Sequence, residues 1–364
     1  MNAISTRTRP RTTTRARTGA RHRTRLRTLA TAVTVTALAL AGCQGGTDEA
    51  TTSAGGSGSG GDTSAQVSVL LDWAPNPDHV ALYTALHTGA YADAGVDVEF
   101  TTPSNTADAA REVSLGRADL AISYEPDTLI AVEQGLDVVS VAALVPTSLT
   151  SLIAKRDAGI TSAADLEGRT VALSGLASQQ PTIDFIAREA GIDPASISTP
   201  NVQQSLSQAL LTDQADAIFG AFRNIEGIEL GERTDVVILP VTELGVPDYS
   251  ELVIIANPVR LRDDAAYAER VRAFLAGTAA GQETALTDRD TALDAMTPPT
   301  KDSYDPESLE RMIDATLDLL AETGFGRQSG EDWSTYARWM HSNGLLESEV
   351  DGASATTNDY LPAS

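Results

Sequence analysis

The sequence predicts a two-lobed α/β protein with mostly parallel sheets, its lobes joined by a hinge of two chain segments. Three observations predict it. From residue 67 onward, apolar strand patterns alternate with amphipathic helical ones, the signature of sheets covered by helices. The pattern changes neighbourhood near residues 149 and 251, so the chain crosses into a second lobe and returns. Beyond residue 264 long helical patterns follow one another without strands, as helices do when they buttress a completed sheet.

Taken in order, residues 67–72 form an apolar strand. Residues 80–94 set Ala81, Leu82, Ala85 and Leu86 on one helical face, and Gly95 stops that helix. Strands are expected at 96–101, 119–123 and 138–144, with helices at 108–115 and 128–134 between them. A strand at 149–155 opens the second lobe. It continues through strands at 170–174, 216–220 and 236–239 and helices at 179–190, 204–212 and 224–231. The apolar run 251–256 returns to the first lobe, and helices follow at 265–285, 306–322 and 331–343. Lobe 1 is therefore 66–148 with 252–347, and lobe 2 is 149–251. The small, polar stretch 348–364 is expected to be a loosely ordered tail.

Composition bounds the partners. The chain is 42% apolar, enough for packed cores. Its formal charge of −24 conceals a basic leader: residues 1–42 hold nine arginines and no acid. The remainder carries 17 basic and 50 acidic residues, a net −33, a surface that repels nucleic acid and anionic lipid. Residues 28–42 are small or apolar and end in Leu40-Ala41-Gly42 before Cys43, the only cysteine. A charged start, a short apolar run and a small-residue cleavage site make a signal peptide over 1–42. Leu-Ala-Gly-Cys is similar to the bacterial lipobox, which implies cleavage before Cys43 and a lipid on its thiol. The Gly-, Ser- and Thr-rich stretch 43–65 is a flexible tether. The body is thus expected outside the cell, anchored to the outer face of the bacterial membrane.

Candidate binding residues fall where strands end at a cleft. Pro75 and Pro77 stiffen the turn after the first strand. In an α/β sheet that turn faces the crevice, which brings Trp73, Asn76 and His79 to it. Trp73 offers a stacking face and Asn76 a donor–acceptor pair, though core packing and turn formation suit the same residues equally. Tyr124 and Glu125 follow the third strand. Glu125 is read first as an acid at the positive end of a helix, and second as a ligand acceptor. Ser174 and Ser178 precede a helix start, where N–H groups bind anions or where Ser178 caps the helix. Phe222, Asn224 and Glu226 follow a strand of the second lobe and face the first. Tyr249 lies near the return crossing. His79 and His87 are too few for a metal site, and no metal or cofactor is expected.

The run Leu71-Asp72-Trp73-Ala74-Pro75-Asn76-Pro77-Asp78-His79 resembles the opening signature of the thiamine-pyrimidine-precursor binding family. These are extracytoplasmic solute-binding proteins of ABC importers, related in fold to the eukaryotic pyrimidine synthase. The runs Gly89–Val98 and Gly116–Tyr124 are similar to that family's helix-to-strand and strand-end motifs, and Ala217–Gly227 to its aromatic-x-N-x-E-G segment. Arg223 departs from the pattern, since an aromatic is common there. The resemblance covers residues 67–260 and implies a type II periplasmic-binding-protein fold. It also implies a role for Glu226 as the acceptor for an aminopyrimidine's amine and protonated ring nitrogen.

The expected function is therefore capture of a small heteroaromatic, a formylaminopyrimidine or hydroxymethylpyrimidine type of thiamine precursor, for delivery to ABC permease and ATPase subunits by a monomer. The alternatives are a receptor for riboflavin or for a sulfonate or nitrate-type anion, and a synthase-like enzyme. The enzyme reading requires a lysine near the site and a cysteine-rich motif. The chain has only Lys155 and Lys301 and one cysteine, so it is expected not to be an enzyme.

Overall fold

Two sheets organise the chain in the computed structural model, which describes residues 65–321 and 324–363. The expected leader, Cys43 and the tether through residue 64 lie outside the described residues. The first sheet has the order β2-β1-β3-β9-β4, from β1 (Ala65–Leu70), β2 (Val96–Thr101), β3 (Leu120–Ser123), β4 (Val139–Val145) and β9 (Leu252–Ala256). The second has the order β6-β7-β5-β8, from β5 (Thr150–Lys155), β6 (Val171–Leu173), β7 (Ala217–Phe222) and β8 (Val236–Pro240). The chain passes between them after β4 and again before β9.

The strands run mostly parallel, as expected, with one strand reversed in each sheet. β1 pairs in parallel with β2 and β3, and β6 with β7. β9, however, runs antiparallel to both β3 and β4, and β5 antiparallel to both β7 and β8. Parallel neighbours need a long crossover, usually a helix. β5 and β9 arrive instead by short passages from the other sheet, so they enter each sheet in the reverse direction.

Helices cover the sheets: α1 (Val80–Thr88), α2 (Ala90–Asp93), α3 (Ala109–Ser114), α4 (Glu125–Glu133), α5 (Gln179–Glu189), α6 (Leu206–Leu211) and α7 (Glu226–Arg233). After β9 come α8 (Pro258–Asp263), α9 (Ala265–Thr287), α10 (Arg289–Thr300), α11 (Pro306–Ala321) and α12 (Gly330–Ser342). The helix expected over 80–94 is two, broken at Gly89 in the left-handed conformation. α8 and α10 were not expected. Asn257 caps α8 by accepting from the Val259 and Arg260 amides, and α10 carries its breakers, Pro298 and Pro299, only near its end. α1 lies close on α9 because of Gly281. A Cβ there would meet Ala81 O at 2.3 Å and Ala85 Cβ at 2.6 Å.

The stretch after residue 348 is not the loose tail expected. Ala355 is buried, Thr356 bridges in parallel to Ser140, and the Thr357 amide donates to Ser140 O at 2.9 Å. β4 ends the first sheet, and its unpaired edge would otherwise invite pairing with another chain. These residues, with Gly326 bridged to Ala143, cover it. No described helix is long and apolar enough to cross a membrane.

Candidate functional site

The turn after β1 is built as a capping box. Asn76 Oδ1 accepts from the Asp78 amide at 2.9 Å, and the Asn76 amide donates to His79 Nδ1 at 3.3 Å. The imidazole thus occupies the place usually held by Glu or Gln in such a box. With Nδ1 accepting, the proton sits on Nε2, which donates to Asp72 Oδ1 at 2.8 Å. Asp72 Oδ2 accepts from the Tyr124 hydroxyl at 2.8 Å. One buried carboxylate therefore locks the turn after β1 to the end of β3 and sets the positions of Trp73 and Tyr124.

Those residues line a cavity between the two lobes. Its wall comprises Asp72, Trp73, Asn76 and Tyr124 from the first lobe, Ser174, Leu206, Gly220, Phe222, Ile225 and Glu226 from the second, and Tyr304. Glu226 opens α7, and its Oε2 accepts from the Phe222 amide at 2.8 Å. Burial pushes its carboxyl up to about 7, against the pull of that amide. Gly220 has φ +93°, and a Cβ there would meet Gln179 Nε2 at 2.1 Å. That close approach lets the Gln179 amide pass beneath β7 to Ser174.

Several expected binding residues have other partners. Asn76 lines the cavity, but its Nδ2 donates to Ala74 O at 3.2 Å and its Oδ1 serves the cap, so the free donor–acceptor pair is not there. His79 is fully buried behind Asp72 and is not part of the wall. Asn224 is 4% exposed and turns away from the cavity. Its Nδ2 donates to Asp78 Oδ1 at 2.7 Å and to Thr316 Oγ1 at 2.9 Å. Ser174 is on the wall, yet the amides of Ser174 and Gly175 donate to Gln179 Oε1, both at 3.0 Å. The expected anion cradle is filled by the chain's own glutamine.

Ser178 neither caps α5 nor reaches that cavity. Its amide and hydroxyl donate to Asp127 of the first lobe at 3.2 and 2.7 Å, which brings a carboxylate to the helix start from across the cleft. Glu125 and Tyr249 belong to the hinge. Glu125 Oε2 accepts from the Ser250 amide at 2.8 Å, and burial pushes its carboxyl up to about 7. Tyr249 lies against Tyr336, with ring centroids 5.2 Å apart, and lines a separate cavity of about 360 Å³ with Ser178 and Glu251. Glu251 ties the crossings together, accepting from the amides of Leu149 at 2.5 Å and Thr150 at 2.7 Å.

Five wall residues escaped the sequence reading as binding candidates: Asp72, Leu206, Gly220, Ile225 and Tyr304. Asp72 sits inside the quoted motif, where its neighbours drew attention. Gly220 gives no chemical signal. Tyr304 lies in the short turn that joins α10, a helix that was not expected, to α11.

The family profile described as NMT1/THI5 like matches residues 76–292. The chain belongs to this family. A formylaminopyrimidine-binding protein of Halalkalibacterium halodurans is 30% identical over 291 residues, 78% of this chain and 87% of that protein. A 4-amino-5-hydroxymethyl-2-methylpyrimidine phosphate synthase of Legionella pneumophila is 26% identical, over 82% of this chain and 92% of that one. The fold is that of the alkanesulfonate-binding protein SsuA from Xanthomonas axonopodis pv. citri bound to MOPS. That structure matches with a TM-score of 0.63 at 14% identity, over 80% of this chain and 98% of its own. This NMT1/THI5-like chain thus has the type II periplasmic-binding-protein fold, and its family includes both a named binding protein and named synthases.

Proposed function

We propose that this chain is the solute-binding component of an ABC importer, which captures a thiamine pyrimidine precursor of the formylaminopyrimidine or hydroxymethylpyrimidine type. The observation that carries the reading is Glu226, a carboxyl on a cavity wall that also holds Trp73 and Phe222. An aminopyrimidine edge offers an amine donor beside a ring nitrogen, and a carboxyl group pairs with both. The pairing needs one proton between ring and carboxyl. With Glu226 pushed up to about 7, either partner supplies it near neutral pH. The aromatic faces add stacking worth ~0.5–1.5 kcal/mol per pair beyond burial. The likeness to a formylaminopyrimidine-binding protein supports the same ligand class.

Placement of the lysines supports a receptor rather than a synthase. Lys155 pairs with Asp213, and Lys301 is exposed beyond α10. Neither lines the cavity, and the wall carries no cation for a phosphate, so the residues present do not fit pyridoxal phosphate. In this reading the lobes, 66–148 with 252–347 and 149–251, close about the two crossings. The protein acts as a monomer outside the membrane, tethered by a lipid on Cys43, and hands its ligand to the permease.

Titration calorimetry with formylaminopyrimidine, hydroxymethylpyrimidine, riboflavin, taurine and nitrate tests the assignment. A pyrimidine should bind most tightly. Trp73→Ala and Glu226→Gln should each weaken it about tenfold or more, the equivalent of ~1.4 kcal/mol. If the tightest ligand keeps its affinity in both variants, the cavity is not the binding site.

A further inference from the structure

The family match ends at residue 292, but the cavity wall continues to Tyr304. The Tyr304 amide donates to Thr300 O at 3.2 Å, closing the turn after α10, and α11 begins two residues later. The ring packs against the first lobe's apolar core, so the side chain is held from both sides. Several other polar groups on the wall already have partners. The Tyr124 hydroxyl donates to Asp72, the Asn76 amide serves its own turn, and Ser174 Oγ accepts from Gln179 Nε2 at 2.7 Å. Among the described residues the Tyr304 hydroxyl has no hydrogen-bond partner. Of the charges acting on it, that of Glu226 is the largest, followed by Glu229 and Asp78. Burial and these carboxyls raise the phenol's pKa far above its ordinary value, so it stays a donor.

We propose that Tyr304 is a specificity-determining residue, whose hydroxyl donates to an oxygen substituent of the ligand beside the edge that Glu226 holds. Tyr304 would thus set the formyl or hydroxymethyl compounds already proposed apart from a bare alkylated ring. An oxygenated ligand offers this hydroxyl an acceptor that an alkylated ring lacks, which is the basis of the discrimination. The inference rests on the proposed pyrimidine-binding role of Glu226.

The test compares hydroxymethylpyrimidine with its 5-methyl analogue, which lacks only the hydroxyl oxygen, by calorimetry on the whole chain. Wild-type protein should prefer the oxygenated compound by about tenfold or more, in the range for one buried hydrogen bond. Tyr304→Phe keeps the ring and its packing. It should erase that preference by weakening the oxygenated ligand alone, with the analogue unchanged. If Tyr304→Phe keeps the preference, or weakens both ligands equally, the proposal falls. In that event, loss of both ligands in Glu226→Gln leaves the proposed function standing. If Glu226→Gln binds both compounds as wild type does, or if wild-type protein binds neither, the underlying reading fails and this inference with it.

Discussion

Asn224 donates to Asp78 Oδ1 at 2.7 Å, joining the end of β7 in one lobe to the turn before α1 in the other. Both residues are buried, and Thr316 of α11 donates to the same carboxyl oxygen at 3.2 Å. A second contact of the same kind joins Asp127 to Ser178 at the start of α5. The lobes are therefore held shut by two carboxylates of the first lobe, one buried and one half-buried, each accepting from a residue of the second.

Asn224→Ala should loosen closure while leaving the cavity wall intact. Removing one partner of a buried hydrogen bond costs ~1–3 kcal/mol. Ligand affinity should drop roughly five- to a hundredfold, mainly through faster release. Stopped-flow measurement of the release rate checks this, and a variant with wild-type release would show that Asn224 does not hold the closed form.

Folding stability should also rise in mild acid. Burial, the largest cause, pushes Asp78 up to about 6, and Glu125, Glu226 and Glu251 up to about 7. Each of these groups holds its proton in the native protein at pH values where the exposed group in the unfolded chain has lost it. Stability therefore rises as pH falls from 8 toward 5, and declines as pH climbs through these raised values. Each pKa unit corresponds to ~1.4 kcal/mol, and ~1 kcal/mol moves the midpoint of a chain this size by roughly 2–4 °C. Thermal melts of unliganded protein from pH 8 to 5 should rise by several degrees. In Asp78→Asn the part of the rise near pH 6 should vanish.

Gly220→Ala should be costly although it adds one methyl group. The backbone at φ +93° disfavours any side chain, and the new Cβ would collide with Gln179 Nε2 at 2.1 Å. Displacing Gln179 frees the Ser174 and Gly175 amides that it receives. Urea unfolding should show a loss of ~2–4 kcal/mol, from strain and unpaired donors together. Gly220→Ala combined with Gln179→Ala should recover the part due to the collision.

Asp72→Asn should disturb the cavity without opening the lobes. The amide can accept from only one of the two donors that Asp72 now receives, His79 Nε2–H and the Tyr124 hydroxyl. One of them is left without an acceptor in the interior, at ~1–3 kcal/mol. Ligand affinity should fall at least tenfold, and Trp73 fluorescence should shift as its turn relaxes. Affinity equal to wild type would show that Asp72 has no positioning role.

How far the site could be read from the chain is clearest at the turn after β1. Two prolines, an asparagine and a histidine three residues apart announce a rigid turn at a strand end, and the turn is there with Trp73 on the cavity wall. The same spacing is also that of a capping box, which is the role Asn76 and His79 fill. Polar residue types in a turn do not say whether their hydrogen bonds go to a ligand or to the backbone beside them. Ser178 shows the same ambiguity. A serine before a helix is a natural cap, but here a carboxylate from the other lobe arrives first.

The sequence by itself determined the succession of strands, most of the helices and the points where the chain changes sheets. It also determined that Trp73, Tyr124, Phe222 and Glu226 stand at strand ends. All of these follow from short-range physics, namely apolar periodicity and turn chemistry. The tertiary structure alone decided that β5 and β9 run against their neighbours, that the last residues cover the edge of β4, and that Asp72 anchors the site. It alone paired Asp78 with Asn224, 146 positions away, and brought Tyr304 to the cavity. These depend on which buried donor meets which buried acceptor once the lobes have closed, and nothing local in the chain encodes that meeting.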